Sequence, residues 1–598
     1  MDFVMHQWDN RHDYHSFANT DSIRVTHLSL DLAIDFDTRC LQGCVRLDFV
    51  RKEGDAADVL VLDTRALAIK SITDVHGQPL DWGLGQASEI LGQALEIMLP
   101  NGITSVLVHY HTTEDAEGLQ WLDGPQTQSG KPYLFSQSQP VNARSWIPLQ
   151  DTPKARVTFD ARVRANQPCR VVMSALNQAD MPADGVFEFV MDKPMPTHLL
   201  AIAAGQIDRV PVSERSAVFA EPAMASLAAR EFEDIEAMMQ MAESILGPYA
   251  WERYDMLILP PSFPFGGMEN PCLAFLTPTL IAGDKSLVST VAHELAHSWT
   301  GNLVSNATWR DLWLNEGFTT YFTNRIVEAV YGREQAQLEL MLEYGRLKEE
   351  MAGMPLPRQT LPANLQQDDP NAAFNRFTYD KASMFVHFLE ARLGRPDFDA
   401  FLRSYIEHYA FVAITTEDFV EYAKGTLLQT HPDKVTEAEL REWIYGEGLP
   451  ATFMPPMSES LGWVIESMTE WLEGHPLTPE RLFGWRVQHW QFFLNNLPEQ
   501  ISQEQLLELD ERFALGSSGN AEIACDWFRV AIRNHYDPVL EQVEAFLCRI
   551  GRAKFVRPLF LELQIAGYRQ ELEAIYHRAR ESYHPSLRVQ LDRILFNE

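Results

Sequence analysis

Two histidines and a glutamate at helical spacing are the residues of this sequence best suited to bind a metal ion. His293 and His297 lie four residues apart in Val291-Ala-His-Glu-Leu-Ala-His-Ser-Trp299. On a helix this spacing places the two imidazoles on one face, a turn apart, where both can bind one small cation. Glu294 lies between them in this HExxH pattern and stays available as a base. The segment predicts a metal site with a general base beside it.

A second motif supplies a third ligand. Glu316, in Trp313-Leu-Asn-Glu-Gly-Phe318, follows His297 after eighteen intervening residues, enough to end one helix, turn and begin another. Catalytic zinc takes three protein ligands and leaves one position open for water, and two histidines with a glutamate are a standard set. We therefore predict one Zn²⁺ per chain on His293, His297 and Glu316. The alternative is a histidine pair on an ordinary helix with an accidental glutamate.

The hydrophobic period supports a helix around the two histidines. Five apolar residues fall on the side opposite the histidines at helical spacing: Leu287, Val288, Val291, Leu295 and Trp299. The helix is predicted to pack against a core with one face and to bind a metal with the other.

Two glutamines form a second candidate site. Gln137 and Gln139, in Tyr133-Leu-Phe-Ser-Gln-Ser-Gln-Pro140, are two residues apart and share one face if the chain is extended. Their amides could hydrogen-bond the backbone or amine of a ligand. Two exposed strand glutamines are the alternative.

The segment Pro264-Phe-Gly-Gly-Met-Glu-Asn-Pro271 combines a glycine pair with an acid. Gly266 and Gly267 let a ligand approach the backbone closely. Met268 and Glu269 follow, and Glu269 supplies an anion that could bind a substrate ammonium. A glycine turn with an exposed acid is the alternative.

Two further segments carry side chains suited to a reaction or to an anionic ligand. Tyr379, in Phe374-Asn-Arg-Phe-Thr-Tyr-Asp-Lys381, is a candidate oxyanion donor, with a buried structural tyrosine as the alternative. Arg552 and Lys554 lie in Gly551-Arg-Ala-Lys-Phe-Val-Arg-Pro558, which concentrates three cations in an acidic chain. A solvated surface cluster is the alternative there.

Composition narrows the class of protein. The chain has 598 residues, with 49 basic and 83 acidic residues and a net charge of −34. This balance argues against nucleic acid or an anionic membrane as partner. No apolar stretch is long enough to span a bilayer, and the polar residues 1–10 lack the apolar segment of a signal peptide. The six cysteines form no CxxC pair, which favours reduced thiols in a cytoplasm.

The hydrophobic pattern divides the chain into regions. Short runs of period two predict an antiparallel β domain over residues 1–206. Helical patterns dominate 207–448, a proline-rich stretch over 449–461 is predicted to be a linker, and 462–598 is predicted to be helical, with stacked pairs of the solenoid kind. Predicted helices include Glu231–Leu246, Pro479–Asn495, Gln503–Phe513, Pro538–Cys548 and Glu571–Glu581.

These motifs together resemble family M1 of the gluzincin zinc aminopeptidases. HExxH, eighteen residues and a glutamate, with Gly266-Gly-Met-Glu-Asn270, resembles the relatives of aminopeptidase N. Further segments resemble the branch that contains leukotriene A4 hydrolase and aminopeptidase B: Phe135-Ser-Gln-Ser-Gln139, Pro260-Pro-Ser-Phe-Pro264, Asn270-Pro-Cys272, His297-Ser-Trp-Thr-Gly-Asn302, Tyr379-Asp-Lys381 and Lys554-Phe-Val-Arg-Pro-Leu-Phe560.

The resemblance implies a multidomain α+β fold: an N-terminal β-saddle, a thermolysin-like catalytic domain and a C-terminal α-helical domain. It implies that Gln139 and Glu269 bind the amine of the substrate and that Tyr379 stabilises the tetrahedral intermediate. It also implies that Arg552 and Lys554 hold the carboxylate of short peptides. The expected protein is a cytoplasmic, monomeric zinc aminopeptidase.

Two positions depart from the leukotriene A4 hydrolase pattern. Asn371 stands where that branch has an acid that directs water onto an epoxide, and Phe265 stands where it has a tyrosine. An aminopeptidase is therefore favoured over a bifunctional epoxide hydrolase. A non-catalytic peptide-binding protein on the same fold is a third hypothesis, which the filled catalytic positions disfavour.

Overall fold

The computed structural model describes residues 12–54, 57–366 and 368–596. Residues 1–10, whose polarity argued against a signal peptide, lie outside this part of the chain. Within it, no helix has both the length and the apolar character needed to cross a bilayer.

The N-terminal region is built from thirteen strands. They are β1 Ile23–Asp35, β2 Cys40–Arg51, β3 Val59–Thr64, β4 Leu67–Thr73, β5 Trp82–Leu84, β6 Gln93–Met98, β7 Ser105–Thr112, β8 Leu119–Leu122, β9 Tyr133–Ser136, β10 Arg156–Ala165, β11 Arg170–Met173, β12 Val186–Pro196 and β13 Ile202–Gly205. The alternation read from the sequence buries Leu28, Leu30, Leu32 and Ile34 of β1. The largest sheet has the order β12-β10-β1-β2-β7-β4.

Among the described residues of this region, strand pairing is antiparallel with one exception. β1 and β10 run parallel, from His27 beside Thr158 to Ile34 beside Ala165. Parallel neighbours need a long connection, and the eight strands between them supply it. The β domain is therefore antiparallel, as predicted, apart from this pair.

The middle region combines small sheets with nine α-helices. Its strands are β14 Asp208–Pro211, β15 Ala217–Ala220, β16 Asp255–Ile258, β17 Gly267–Met268, β18 Leu273–Leu276, β19 Val304–Asn306 and β20 Val412–Ile414. Its helices are α1 Pro222–Glu231, α2 Ile235–Leu246, α3 Ser289–Ala296, α4 Trp313–Tyr331, α5 Arg333–Gly353, α6 Ala382–Leu393, α7 Arg395–His408, α8 Thr416–Ala423 and α9 Glu437–Tyr445.

The helix predicted over Glu231–Leu246 is confirmed over α2, Ile235–Leu246, but it begins four residues later than expected. The chain forms two helices, because Phe232 and Asp234 have ψ angles of 21° and 1°, which interrupt the α-helical conformation between α1 and α2.

The C-terminal region is helical, as predicted. Its helices are α10 Ser460–Leu472, α11 Val487–Asn495, α12 Gln503–Phe513, α13 Ala521–Arg533, α14 Leu540–Arg549, α15 Ala553–Ile565, α16 Arg569–Ala579 and α17 Pro585–Phe596. From α13 onward each helix packs on the next but one, as α13 does on α15 and α14 on α16. The chain between Tyr445 and Ser460 contains no helix or strand, and the predicted domain limits stay a prediction.

The helix predicted over Pro479–Asn495 begins later than expected. Gly484 has a φ of +83°, a conformation that an α-helix does not contain. The helix α11 therefore starts at Val487.

Two backbone hydrogen bonds join the C-terminal region to the middle region. The amide of Gly551 donates to the carbonyl oxygen of Pro261 at 2.8 Å, and that of Ala553 donates to Pro264 at 2.9 Å. A side chain at Gly551 would lie 2.8 Å from the Cα atom of Ser262, so only glycine fits this close approach. The start of α15 is thereby held beside the glycine pair of β17.

Candidate active site

Two adjacent helices bring the three predicted metal ligands together. His293 lies in the last turn of α3, His297 directly follows that helix, and Glu316 lies in the first turn of α4. The Nε2 atoms of the two histidines are 3.1 Å apart, and they lie 3.3 and 3.4 Å from Oε2 of Glu316. Donor atoms bound about 2.0–2.2 Å from one tetrahedral ion lie about 3.3–3.6 Å apart, so the two distances to Glu316 fit Zn²⁺ and the distance between the histidines is slightly shorter.

The surroundings of His297 orient it toward a metal. Its Nδ1 lies 3.0 Å from the carbonyl oxygen of Thr300 and 3.1 Å from Oγ1 of Thr319. A carbonyl oxygen only accepts, so Nδ1 carries the proton and Nε2 presents its lone pair to the site. Oε2 of Glu316 is buried and accepts no hydrogen bond of good geometry from the described residues. A metal ion bound here would be a partner for both Nε2 of His297 and Oε2 of Glu316.

The charge balance of the site also favours a cation. Burial lowers the pKa of His297, but the carboxylates of Glu269, Glu316 and Glu294 together raise it to about 10. Burial opposes ionisation of Glu316, yet the two histidines hold its pKa at about 2. Without a metal, the three acids therefore favour a proton on His297. A bound divalent cation would replace that proton as the positive charge among the carboxylates.

Glu294 lies directly under the glycine pair. A side chain at Gly267 would overlap the carboxyl group of Glu294, so the absence of a Cβ atom there makes room for it. Burial raises the pKa of Glu294 well above its usual value, and the nearby acids Glu269 and Glu316 act in the same direction. A carboxyl group in this setting accepts and returns a proton readily.

A second triad, Glu269, Glu294 and His297, has donor atoms within 4.8 Å of one another. It shares His297 with the first set and contains one imidazole instead of two. Glu269 accepts a hydrogen bond from Gln139, whereas Oε2 of Glu316 accepts none from the part of the chain that the structure describes. The first set therefore suits zinc better.

The two predicted glutamines and Glu269 meet in one buried cluster. Nε2 of Gln139 donates to Oε1 of Glu269 at 3.1 Å, and Nε2 of Gln137 lies 3.3 Å from the sulfur of Met268. Oε1 of Gln137 is buried without a hydrogen-bond partner among the described residues. Asn302 donates to the backbone carbonyl of Glu269 at 2.7 Å, which fixes that residue.

Gly267, the second glycine of the pair, lies in the edge strand of a sheet. The strand β17, Gly267–Met268, pairs antiparallel with β18 and is the last strand in the order β14-β15-β16-β18-β17. No strand of the described residues pairs with its outer side, which could therefore pair with an extended ligand. The alternative of a plain turn with an exposed acid is wrong, because Glu269 is buried.

Tyr379 is carried by a single turn of π-helix, Phe377–Lys381, which leads into α6. Its ring stacks near that of His293, with centroids 6.3 Å apart. Burial raises the pKa of Tyr379 well above its usual value, and the carboxylates of Glu316, Glu269 and Glu294 raise it further. The phenol thus keeps its proton and remains a hydrogen-bond donor beside the metal ligands. Single π turns are frequent at functional sites.

The two predicted basic residues differ in exposure. Arg552 is buried, and its guanidinium packs over Gly266, where a side chain would come within 2.6 Å of Nη2. Its Nη1 donates to Oγ1 of Thr279 at 3.2 Å. Lys554 is exposed and donates to Oε1 of Glu522 at 2.6 Å. Arg552 therefore faces the glycine pair, while Lys554 stands at the rim.

The two positions that depart from the family pattern lie at the surface. Asn371 is exposed, and its Nδ2 donates to Oδ1 of Asp369 at 2.8 Å. Phe265 is 39% exposed, and its ring contacts that of Phe263 with centroids 6.0 Å apart.

Several residues near the site were not anticipated from the sequence. Glu522, in the first turn of α13, is buried between Lys554 and Arg552, 3.8 Å from the guanidinium. No local pattern marks it, because its partners are about thirty residues away. Thr319 could have been found, since it lies three residues after Glu316 on the same helix face.

Comparisons with known proteins agree over nearly the whole chain. Residues 24–199 match the Peptidase M1 N-terminal domain, residues 231–441 the Peptidase family M1 domain, and residues 485–595 the domain described as leukotriene A4 hydrolase, C-terminal. The chain is 33% identical to leukotriene A-4 hydrolase of Xenopus laevis, covering 96% of this chain and 97% of that protein.

Two further comparisons extend this result. The chain is 34% identical to leucine aminopeptidase 2 of Neosartorya fischeri, over 98% of each protein. Its fold is similar to that of yeast LTA4 hydrolase solved in complex with bestatin, with a TM-score of 0.89 and 29% identity over 98% of each chain. All three regions of the fold are represented in these relatives.

Proposed function

Since this chain belongs to peptidase family M1, we propose that it is a zinc-dependent aminopeptidase that releases N-terminal amino acids from short peptides. The observation that carries the proposal is the buried carboxylate of Glu269 beside the three metal ligands. It gives a peptide ammonium a fixed binding place at the reacting centre.

The anchor determines which bond is cleaved. Glu269 and Gln139 would bind the α-ammonium of the substrate, with Gln137 and the backbone of Gly266, Gly267 and Met268 along the first residues. A peptide held in this way presents its first peptide bond to the reacting groups. This anchor distinguishes an aminopeptidase from an endopeptidase with the same metal ligands.

The chemistry is divided among three groups. Zinc held by His293, His297 and Glu316 would lower the pKa of a water and polarise the scissile carbonyl. Glu294 takes a proton from the attacking water and delivers it to the leaving amine, a role suited to its raised pKa. Tyr379 donates a hydrogen bond to the oxygen of the tetrahedral intermediate.

The basic end favours short peptides. Arg552 and Lys554 would bind the free carboxylate of a substrate whose amine lies at Glu269. A binding site with fixed charges at both ends favours peptides of matching length. We further propose one zinc per chain, a monomer and a cytoplasmic location, the last supported by six unpaired cysteines.

Epoxide hydrolysis is the second candidate, because a relative covering almost the whole chain is named leukotriene A-4 hydrolase. Asn371 disfavours it, since an amide does not take the place of the acid expected to direct water. Incubation with an allylic epoxide, compared between the protein and its Asn371→Asp variant, tests this point. Turnover by the unaltered protein would make it bifunctional.

One experiment tests the main proposal. Purified protein is analysed for metal and assayed on a panel of aminoacyl anilides and their N-acetylated forms, before and after treatment with a chelator. We expect about one zinc per chain, cleavage of free-amine substrates alone, and recovery of activity when zinc is restored. Equal cleavage of the acetylated substrates would contradict the amine anchor.

A further inference from the structure

A groove begins at Thr279, the residue that accepts a hydrogen bond from Arg552. Thr279 lines a cavity of about 570 Å³. A neighbouring cavity of about 260 Å³ shares Gln128, Pro261 and Arg549 with it. Together they form one groove between the N-terminal, middle and C-terminal regions.

The charge of this groove is opposite to that of the protein. The chain has a net charge of −34, yet among the described residues no Asp or Glu lines either cavity. The lining supplies neutral polar groups, such as Gln128, Gln542 and Ser518, and one cation, Arg549. Neutral amides and hydroxyls suit a peptide backbone, and a lone cation attracts an anion.

Arg549 is available to a ligand. It is exposed at the end of α14, and within the described part of the chain its guanidinium has no ion-pair or hydrogen-bond partner. Arg552, by comparison, is buried and bonded to Thr279. The cation of the groove is thus unpaired in a chain with an excess of acids.

The distance between the two arginines corresponds to a few peptide residues. Ile550 and Arg552 have extended backbones, with ψ of 126° and 119°. Three extended residues span at most about 10 Å between Cα atoms. A peptide two or three residues longer than one whose carboxylate reaches Arg552 could therefore bring its carboxylate to Arg549.

From these observations we propose that the groove is an extension of the substrate site, in which Arg549 binds the C-terminal carboxylate of penta- and hexapeptides. The inference rests on the proposed aminopeptidase function and extends its substrate class. Arg552 serves tripeptides and Arg549 serves longer peptides, so the protein has two carboxylate positions at different distances from Glu269.

The test compares peptide lengths within each variant. Leu-Ala-Ala and Leu-Ala-Ala-Ala-Ala are assayed as free acids and as C-terminal amides with the zinc-loaded protein, Arg549→Ala, Arg549→Lys and Arg557→Ala. Arg557 is an exposed arginine on α15 that does not line the groove. We expect Arg549→Ala to lower the pentapeptide-to-tripeptide ratio of kcat/KM about fivefold for the acids, through KM, because one partly exposed charge contact is lost.

The amides and the control decide the interpretation. The same ratio for the amides should change less than twofold, Arg549→Lys should restore most of the acid ratio, and Arg557→Ala should match the unaltered protein. An equal fall for acids and amides, or no fall for either, would overturn the inference. If the unaltered protein cleaves neither the tripeptide nor an aminoacyl anilide, the proposed function fails instead.

Discussion

The two ends of the proposed substrate site are built differently. At the acidic end, Glu269, Glu294 and Glu316 are buried; Gln139 and Asn302 hydrogen-bond to Glu269, and the two histidines lie beside Glu316. At the basic end, Arg552 is buried but Lys554 is exposed, and both cations lie close to one acid, Glu522. One end is buried, and the other is partly open to solvent.

The buried end is suited to the reaction itself, and the partly exposed end is suited to the choice of substrate. A reaction needs groups held within a fraction of an ångström, and buried, hydrogen-bonded side chains provide that precision. Recognition of a carboxylate tolerates movement, and exposed charges contribute modestly. Changes at the acidic end should therefore affect kcat strongly, and changes at the basic end should affect KM moderately.

The largest effect is expected from Glu294→Gln. The amide fits beside Gly267 but accepts no proton, so kcat should fall about 10²–10⁴-fold on an aminoacyl anilide. Metal analysis should still give the zinc content of the unaltered protein, because Glu294 is not one of the proposed ligands. Activity close to that of the unaltered protein would remove the assignment of the base.

A smaller loss is expected from Tyr379→Phe, which deletes one donor to the intermediate. We expect kcat to fall about 10²–10³-fold with KM nearly unchanged, since the phenol acts mainly in the transition state. Steady-state kinetics on an anilide and a tripeptide measure this. A rise in KM without loss of kcat would show that Tyr379 binds the ground state instead.

At the basic end, Arg552→Ala should raise KM for tripeptides about tenfold, the cost of one charge-assisted hydrogen bond. KM for an anilide that lacks a carboxylate serves as the internal control and should change less than twofold. Equal changes on both substrates would mean that Arg552 shapes the glycine pair rather than binding the carboxylate.

The smallest effect is expected from Glu522→Gln. The carboxylate of Glu522 competes with a substrate for Lys554 and Arg552, so its neutralisation should lower KM for tripeptides about two- to threefold. Thermal unfolding should occur at a lower temperature, because two neighbouring cations lose their counter-charge. A higher KM would indicate that Glu522 orients the cations instead of competing for them.

Sequence reasoning was most reliable where spacing along the chain defines the geometry. The pair His293 and His297 follows from helical period, and the helix over Gln503–Phe513 was predicted with the bounds that the structure has. Alternation in β1 likewise identified its buried face. The functional roles of the predicted site residues remain predictions until the variants are made.

Contacts between distant segments could not be predicted in this way. The groove beside Arg552, the hydrogen bond from Gln139 to Glu269 and the pairing of Lys554 with Glu522 all depend on how separate regions pack. The π turn that contains Tyr379 also has no sequence signal. One extra residue in a helical turn changes the hydrophobic pattern so little that the segment is predicted as an ordinary α-helix.

If Arg552 binds the substrate carboxylate as proposed, the backbone hydrogen bonds from Gly551 and Ala553 to Pro261 and Pro264 would link substrate length to the packing of the helical region on the middle region. They attach the start of α15 to the segment that leads into β17, so the distance between Glu269 and Arg552 depends on the position of the helical region. Glu269 belongs to the middle region, whereas Arg552 belongs to the helical region, at the start of α15. A change that shifts the helical region by about one ångström would alter the length of peptide that fits between Glu269 and Arg552 while leaving the metal ligands in place.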